Sequence, residues 1–335
     1  MAVMSAYGFQ QFSIYEMFGS EPTPPFESRQ ELESGWGRNW GCDNDIGRLR
    51  AVLMHRPGQE VDVVDTSKPL GFVEGYGDKQ ASWYWNSNEP PDLPAMQAQH
   101  DGLTKLLRDE GVDVILVDKA APNRLKSVFT RDSAIGIKGG AIVTRLARRV
   151  RRGEERPVTQ ALAAAGCPIL HTIHGDGIFE GGGFAFINSR TVACSVSIAC
   201  NEAGVAQIEG VLRTQGIELI RVHLAGYRIH IDGMFVMVDV DTALVNQDQL
   251  PYWFIEKLKA MKIRMIQLPH DESEFSLNCL AVAPGRVIMD ADMSPKFADL
   301  IDKAGLTVLP VKYHLISHNG GGIHCSTAPL MRDPV

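Results

Sequence analysis

The sequence predicts an α/β fold in which five similar strand–helix–strand units are arranged around a common axis and a central cavity. Apolar strands and amphipathic helices alternate from Arg48 to the end of the chain, and the pattern repeats about every fifty residues. Many units begin with two strands joined by a short turn, as around residues 283–286. A doubly wound parallel sheet fits less well, because no glycine-rich phosphate loop follows the first strand and because such a sheet lacks consecutive strand pairs.

The predicted elements follow this scheme in chain order. Helices are predicted over 93–111, 156–166, 201–216, 249–262 and 295–305, where apolar residues recur at helical spacing. Single strands are predicted over 48–57, 112–118, 127–137, 139–146, 168–173, 217–224, 263–269 and 306–313, and strand pairs over 184–196, 233–246 and 279–290. Gly111, Gly166, Gly216 and Gly305 end four of the helices and suit the left-handed conformation of a helix C-cap.

The chain is expected to form one domain over residues 41–335, preceded by an arm or lid. The first 40 residues are polar and rich in proline and glycine, and they show no sustained period, which favours an extended segment. A ring of five units is a single domain rather than two. A chain of 335 residues buries roughly three quarters of its unfolded surface, so it needs neither disulfides nor metal to fold.

The composition of the chain limits the classes of partner that it is expected to bind. A net charge of −7 argues against nucleic acid and against an anionic membrane surface, both of which favour a basic face. The N-terminus lacks the pattern of a signal peptide, and no apolar run has the length of a membrane span. Six scattered cysteines without C-x-x-C spacing disfavour zinc and suggest reduced thiols in the cytoplasm. Five of them are expected to be small buried hydrophobic residues.

Polar residues recur where successive units begin. Asp132, Glu180, Asp232, Asn278 and Cys325 follow one another at intervals of 46 to 52 residues. If the units are related by rotation, these positions are equivalent and their side chains converge at one end of the axis. His230 lies two residues before Asp232, on the same side of an extended strand. The spacing therefore predicts a site that holds a thiol, an imidazole, an amide and carboxylates.

The C-terminal segment HNGGGIHCSTAPLMRDP gives the most specific signal. Three glycines, Gly320 to Gly322, allow the backbone to bend sharply or to approach a ligand closely, and Cys325 follows almost at once. A reactive thiol needs a lowered pKa or a base. A guanidinium substrate beside the sulfur would itself favour the thiolate.

Five segments in register resemble the guanidino-group-modifying enzymes: SVFTRD (127–132), RRGEE (151–155), FEGGG (179–183), HID (230–232) and GGGIHCSTAPLMRDP (320–334). That superfamily includes arginine deiminases, dimethylarginine dimethylaminohydrolases, arginine dihydrolases and amidinotransferases. The similarity extends from about Cys42 to Pro334. It implies the five-bladed α/β propeller (pentein), which agrees with the repeat found above, and it implies a possible homodimer.

The resemblance also implies roles. Cys325 is the expected nucleophile, and His230 is the expected acid and later the base. Asp132 and Glu180 are the expected catalytic carboxylates that bind the guanidinium nitrogens, with Asp232 as a further contact. Asn278 and Asn44 are weaker candidates. Among the arginines of the 148–152 run, Arg151 included, one could meet a substrate carboxylate, although such a run is usually solvated.

The implied reaction attacks the guanidinium carbon of a small molecule and passes through a covalent S-amidino enzyme, with no metal or organic cofactor. Hydrolysis with release of ammonia or an amine is favoured over amidino transfer, because the compared transferases carry a DAAD-like motif where this chain reads EGGG. A non-catalytic binding protein on the same fold is the third hypothesis. Two departures weaken arginine itself as the expected substrate. Gly183 replaces an aspartate that many of the hydrolases carry, and the segment SIACNEAG lacks an arginine.

Overall fold

The computed structural model describes residues 16–17, 21, 23–71, 73–120, 123–226 and 228–335. Its strands are Leu49–Met54 (β1), Tyr76–Asp78 (β2), Trp83–Trp85 (β3), Asp113–Leu116 (β4), Ala134–Ile137 (β5), Gly140–Val143 (β6), Ile169–Thr172 (β7), Phe184–Asn188 (β8), Thr191–Val196 (β9), Glu218–His223 (β10), Phe235–Asp239 (β11), Thr242–Val245 (β12), Arg264–Gln267 (β13), Leu280–Ala283 (β14), Arg286–Asp290 (β15), Thr307–Val311 (β16) and Ala328–Arg332 (β17). The α-helices are Arg29–Trp36, Leu93–Asp109, Glu155–Ala164, Glu202–Thr214, Tyr252–Ala260, Pro295–Lys303 and His314–Ser317.

Apart from the hairpin β2–β3, the strands form three-stranded sheets that have the same connectivity. In β5-β6-β7, β8-β9-β10, β11-β12-β13 and β14-β15-β16, the first two strands are antiparallel and the third is parallel to the second. A helix connects the parallel pair, as a crossover between parallel strands requires. The predicted alternation of strand pairs and helices is thus confirmed, and the fold is α/β.

The two ends of the chain build a further three-stranded sheet of the same kind. Strand β17 is antiparallel to β1, and β1 is parallel to β4, so the C-terminal strand takes the first position. Strand β17 also contacts β5, and contacts join β8 to β11, β11 to β14 and β14 to β1. Most of these contacts join the first strands of two sheets, whereas β1 is the middle strand of its sheet.

Local sequence explains where the helices begin and end. Helix Glu202–Thr214 starts at the N-cap Asn201, whose side chain accepts a hydrogen bond from the backbone N–H of Gly204 at 2.8 Å. Its buried face presents Val205, Ile208 and Leu212, which are spaced by three and four residues. Gly216 follows this helix with a φ of +71°. The corresponding predictions for Gly111, Gly166 and Gly305 are likewise confirmed by positive φ values.

A short 3-10 turn precedes the first strand of four sheets. These turns are Thr130–Asp132, Gly181–Gly183, Ile231–Gly233 and Glu274–Leu277. The first turn contacts the second, the second contacts the third, and the third contacts the fourth. The same ends of these sheets therefore lie side by side, and the polar residues in and around the turns are brought together.

The N-terminal region differs in part from its prediction. An extended arm was expected over residues 1–40, but Arg29–Trp36 is an α-helix capped by the side chain of Ser28. Leu32 and Trp40 are buried, so this part packs on the domain. Residues 1–15, 18–20 and 22 lie outside the described residues, and the lid prediction there stays untested.

The structure bears on two further expectations. None of the helices it describes is both long and apolar enough to cross a lipid bilayer. All six cysteines are buried free thiols, as expected for the five that were assigned to packing. The hairpin β2–β3 was not predicted.

Candidate active site

The predicted site residues lie in or next to the neighbouring 3-10 turns. Asp132 ends the first turn, Glu180 immediately precedes the second, and Asp232 lies within the third. His230 lies just before the third turn, and Asn278 lies just after the fourth. The segment that carries Cys325 meets these turns, since its backbone C=O accepts a hydrogen bond from Arg131 N–H at 3.0 Å.

Asn278 holds Cys325 with both ends of its side-chain amide. Its Nδ2 lies 3.0 Å from the Cys325 sulfur, and its Oδ1 accepts the backbone N–H of Cys325 at 3.1 Å. A Cβ on Gly322 would lie 2.8 Å from this Oδ1, so the third glycine of the run permits the close approach. Asn278, a weak candidate from sequence, thus contacts the expected nucleophile directly.

The thiol of Cys325 lies in an environment that disfavours its ionisation. Only 8% of the residue is exposed, and its apolar neighbours include Phe129 and Ile323. Burial raises the pKa of the Cys325 thiol, and the carboxylates of Asp232 and Asp132 raise it further. Asp232 Oδ2 lies 3.9 Å from the sulfur. In this state the thiol is protonated at neutral pH.

His230 lies between two carboxylates. Its Nε2 is 2.9 Å from Glu180 Oε2, and its Nδ1 is 3.7 Å from Asp132 Oδ1. Burial alone would lower the pKa of His230, but Asp132, the Glu180 hydrogen bond and Asp232 outweigh it and raise this pKa to about 9. The imidazole therefore carries a proton on both nitrogens at neutral pH, as an acid catalyst requires.

Both carboxylates are kept ionised by their partners. Burial would raise the pKa of Asp132, but the charges of His230 and Arg151 lower it. Burial likewise opposes ionisation of Glu180, and the His230 hydrogen bond lowers its pKa. Backbone N–H groups complete the contacts: Gly182 donates to Asp132 Oδ1 and Ala147 donates to Glu180 Oε1, each at 2.9 Å.

Arg151 is not the solvated arginine expected from its run. It is buried, and its Nη1 pairs with Asp132 Oδ2. Its Nη2 donates to Glu154 Oε2 at 2.8 Å and to the Phe129 carbonyl at 3.0 Å, while Nε also faces Glu154. All three nitrogens are thus engaged by protein acceptors, so the predicted contact of Arg151 with a substrate carboxylate is replaced by an internal one.

Glu154 lies behind this arginine as a third buried carboxylate. Burial raises the pKa of Glu154 to about 7, although Arg151 opposes the shift, and Asp132 and Glu180 add to it. The chain Glu154–Arg151–Asp132–His230–Glu180 alternates acid and base. Each member is stabilised chiefly by its neighbours, because water is excluded.

One side-chain group among the described residues could coordinate a cation. An oxygen of Asp132, an oxygen of Glu180 and a ring nitrogen of His230 lie within 4.8 Å of one another. Two of these groups are hard oxygen donors and the third is the commonest nitrogen ligand. In the structure, however, Arg151 and protonated His230 already supply two positive charges to the two carboxylates. The arrangement suits an organic cation at least as well as a metal.

His324 is a site residue that the sequence reasoning missed. Its Nδ1 lies 2.8 Å from Asp232 Oδ2, the same oxygen that faces the Cys325 sulfur. Burial lowers the pKa of His324, Arg131 lowers it further, and Asp232 opposes both. The only signal in the sequence was its position next to Cys325.

The unpredicted hairpin supplies another neighbour, Tyr84. The Lys126 Nζ lies 3.5 Å from the centre of the Tyr84 ring, and it donates to the carbonyls of Tyr84 and Asn319. Burial lowers the pKa of Lys126, and Arg151 and Arg148 lower it further. Lys126 thus joins the hairpin to the glycine segment that leads to Cys325.

Gly183 and Asn44 have structural roles. A Cβ on Gly183 would lie 2.4 Å from the sulfur of Cys200 and 2.7 Å from the hydroxyl of Ser195. That side of Gly183 is therefore filled by Cys200 and Ser195. Asn44 binds the backbone of Ile46 and Asp333, at 3.0 Å each, and so ties the two ends of the domain together.

The five site residues that recur along the repeat form a buried cluster. Asp132, Glu180, Asp232, Asn278 and Cys325 are all buried. Cavities of about 620 and 550 Å³ lie near the helix Glu155–Ala164, and neither is lined by these five residues. The cluster holds a thiol, an imidazolium and carboxylates, a combination that could bind a cation and attack its carbon.

The chain is similar to a known family and to solved structures. Residues 80–332, about three quarters of the chain, match the family model described as N,N dimethylarginine dimethylhydrolase, eukaryotic. A curated relative is the N(G),N(G)-dimethylarginine dimethylaminohydrolase of Pseudomonas aeruginosa. It is 24% identical over 237 residues, which cover 70% of this chain and 88% of that protein.

Solved structures share the fold. A mutant of the Pseudomonas aeruginosa dimethylaminohydrolase complexed with citrulline aligns with a TM-score of 0.67 and 21% identity, covering 85% of this chain and all of that one. SxtG, an amidinotransferase from the saxitoxin pathway of Microseira wollei, aligns with a TM-score of 0.68 and 16% identity, covering 88% and 98% of the two chains. At these identities the similarity establishes the fold alone.

Proposed function

This chain belongs to the N,N-dimethylarginine dimethylhydrolase family, within the guanidino-group-modifying superfamily, and on that premise we propose that it hydrolyses a small guanidino compound with Cys325 as the nucleophile. One observation carries the proposal. Burial is the main cause of the raised pKa of the Cys325 thiol, and the carboxylates of Asp232 and Asp132, which raise it further, are the groups that a bound guanidinium would neutralise. Substrate binding therefore lowers the pKa of the Cys325 thiol, and the nucleophile is generated only when a cationic substrate is present.

The proposed reaction has two halves. The Cys325 thiol releases its proton to solvent as the cation binds, the resulting thiolate forms a bond to the guanidinium carbon, and the π electrons of that carbon move to nitrogen. His230 donates a proton to the departing nitrogen, the C–N bond breaks, and ammonia or an amine leaves a covalent S-amidino or thiouronium enzyme. Neutral His230 then takes a proton from water. The resulting hydroxide attacks the same carbon, the C–S bond breaks, the proton of the new hydroxyl passes to the sulfur, and a neutral ureido product leaves with the thiol regenerated.

Asp132 and Asp232 would flank the cation. Asp132 already binds one guanidinium, that of Arg151, through Oδ2. Asp232 Oδ1 accepts no hydrogen bond within the described chain, which leaves this oxygen for a substrate N–H. The five three-stranded sheets are the blades that we assign to a five-bladed propeller, with the site at the end where the 3-10 turns meet.

Arg148 is the arginine that we assign to a substrate carboxylate. Arg151 is occupied, whereas Arg148 is exposed and follows Ala147, whose N–H binds Glu180. Burial raises the pKa of Tyr84, and the charge of Arg148 opposes this shift. The Arg148 guanidinium therefore lies close enough to act on Tyr84, a neighbour of the site. Arg148→Ala should raise KM for guanidino acids about tenfold and leave KM for agmatine unchanged. The adjacent exposed Arg149, replaced by alanine, is the matched control.

A screen of guanidino compounds tests the proposal. Arginine, methylarginines, agmatine and ω-guanidino acids are each incubated with the enzyme, and ammonia, amine and urea are measured, with and without EDTA. Release that persists in EDTA and disappears in Cys325→Ser supports the proposal. Release only in the presence of glycine or ornithine would instead identify an amidinotransferase. No release from any compound, with normal binding, would identify a binding protein.

A further inference from the structure

The hydrogen-bonded pair His324–Asp232 connects the chain segment that carries His230, the proposed acid, to the segment that carries Cys325, the proposed nucleophile. Asp232 lies two residues after His230, and His324 immediately precedes Cys325. The 2.8 Å contact between His324 Nδ1 and Asp232 Oδ2 therefore joins the two chain segments that carry the reacting groups. Both residues are buried, so the contact is shielded from water.

Geometry determines which nitrogen carries the proton. An ionised carboxylate only accepts hydrogen bonds, so Nδ1 of His324 must be the donor to Asp232. The backbone on both sides is fixed. His324 N–H donates to the Asn278 carbonyl at 3.2 Å, and Arg131 Nε donates to the His324 carbonyl at 3.4 Å. The imidazole thus has one defined donor direction, and it points at the carboxylate beside the sulfur.

We infer that His324 is a positioning residue that fixes the carboxylate of Asp232, so that Oδ1 faces the guanidinium while Oδ2 stays beside the Cys325 sulfur. This inference rests on the proposed function. Without the Nδ1 donor, Asp232 could rotate, and the bound cation would lose a fixed partner. Loss of this donor should therefore weaken binding of the cation and leave the intrinsic reactivity of the thiol unchanged.

The charge state of His324 matters for the same reason. Its pKa is lowered by burial and by Arg131, while Asp232 and Asp45 raise it. A neutral imidazole supplies a hydrogen bond and leaves the full negative charge of Asp232 to the substrate. A protonated imidazole would neutralise that charge and compete with the guanidinium.

Two isosteric replacements separate this role from a merely structural one. In asparagine the amide nitrogen is bonded to Cγ, as Nδ1 is in histidine, whereas in glutamine it lies one atom further out, nearer to the place of Nε2. His324→Asn can therefore keep the bond to Asp232, and His324→Gln cannot. Thermal unfolding of both variants checks that each is folded.

The readout is alkylation of Cys325 by chloroacetamidine, a cationic probe, and by chloroacetamide, its neutral analogue. The half-saturating concentration of chloroacetamidine should rise about tenfold or more in His324→Gln and less than about threefold in His324→Asn, since a hydrogen bond to a charged group is lost only in the first. The rate with chloroacetamide should not distinguish the two variants. Equal half-saturating concentrations of chloroacetamidine in His324→Asn and His324→Gln would overturn the inference. If the wild-type enzyme does not prefer the cation, the proposed function itself fails.

Discussion

Asn278 and Cys325 are bound to each other twice, through Nδ2 to the sulfur at 3.0 Å and through Oδ1 to the backbone N–H at 3.1 Å. The first contact stabilises a thiolate, because an amide N–H donates to the charged sulfur. The second fixes the direction of the Cys325 side chain. One amide thus opposes, in part, the effect of burial and of nearby carboxylates on the pKa of the thiol.

Asn278→Ala should therefore slow alkylation of Cys325 by a cationic probe about 10- to 100-fold at neutral pH, the value of one hydrogen bond to a charged group. Asn278→Asp should slow it further, since a new negative charge raises the pKa of the thiol. The measurement is the pH dependence of the alkylation rate. An unchanged rate in Asn278→Ala would show that the amide does not act on the sulfur.

Arg151 is predicted to contribute stability rather than substrate affinity. Arg151→Met leaves Asp132 and Glu154 buried without their cation, and it should lower the free energy of unfolding by about 3–5 kcal/mol. Adding Glu154→Gln should restore part of this loss, because one unpaired charge is removed.

The matched control is Arg152→Met, since Arg152 is exposed and its side chain forms no ion pair within the described residues. That variant should change the free energy of unfolding by less than about 0.5 kcal/mol in urea denaturation. Similar losses at positions 151 and 152 would contradict the assignment.

The pH dependence of activity should follow His230. Because the pKa of His230 is raised to about 9, the imidazolium is available as an acid at neutral pH, and kcat/KM should fall as pH rises through about 9. The same proton stabilises the fold: its contribution is complete below the unfolded pKa of about 6.5 and is lost as pH rises through about 9.

Wild type and His230→Gln should therefore differ most in stability below pH 6.5 and least above pH 9, as followed by thermal unfolding across this range. His270→Gln serves as the control, since that side chain is 86% exposed. A stability difference that grows with pH would have the wrong sign for this account.

Gly183 should not tolerate a side chain. A Cβ would lie 2.4 Å from the Cys200 sulfur, so Gly183→Ala should cost about 1–3 kcal/mol of unfolding free energy, and Gly183→Asp should cost more. Gly210, in the helix Glu202–Thr214, has open space around its Cβ position, and Gly210→Ala should stabilise by about 0.5–1 kcal/mol. Equal effects of the two alanines in thermal unfolding would refute the packing argument.

Much of the fold follows from local sequence. Helix Glu202–Thr214 has an N-cap, an apolar stripe and a terminal glycine within one short window, so its bounds are predictable. The strands of the hairpin β2–β3 have only three residues each, which leaves no period to detect. The sheet β17-β1-β4 joins the two ends of the chain, and no local pattern encodes that pairing.

The candidate site was likewise predictable from the sequence only in part. Asp132, Glu180, Asp232, Asn278 and Cys325 could be predicted because their spacing follows the repeat. The pairing of Arg151 with Asp132 could not, because the two residues are 19 positions apart and the strands β5 and β6 lie between them. One clue was present: Glu154 lies three residues after Arg151, at a distance where charges pair.

The central claim is that a cation activates Cys325, and alkylation followed by peptide mass mapping tests it most directly. Chloroacetamidine and chloroacetamide carry the same leaving group, and only the first is cationic. The account predicts an adduct on the Cys325 peptide at least about tenfold faster with chloroacetamidine, and none on that peptide in Cys325→Ser. Equal rates with the two probes, or an adduct mainly on another cysteine such as Cys279, would contradict it.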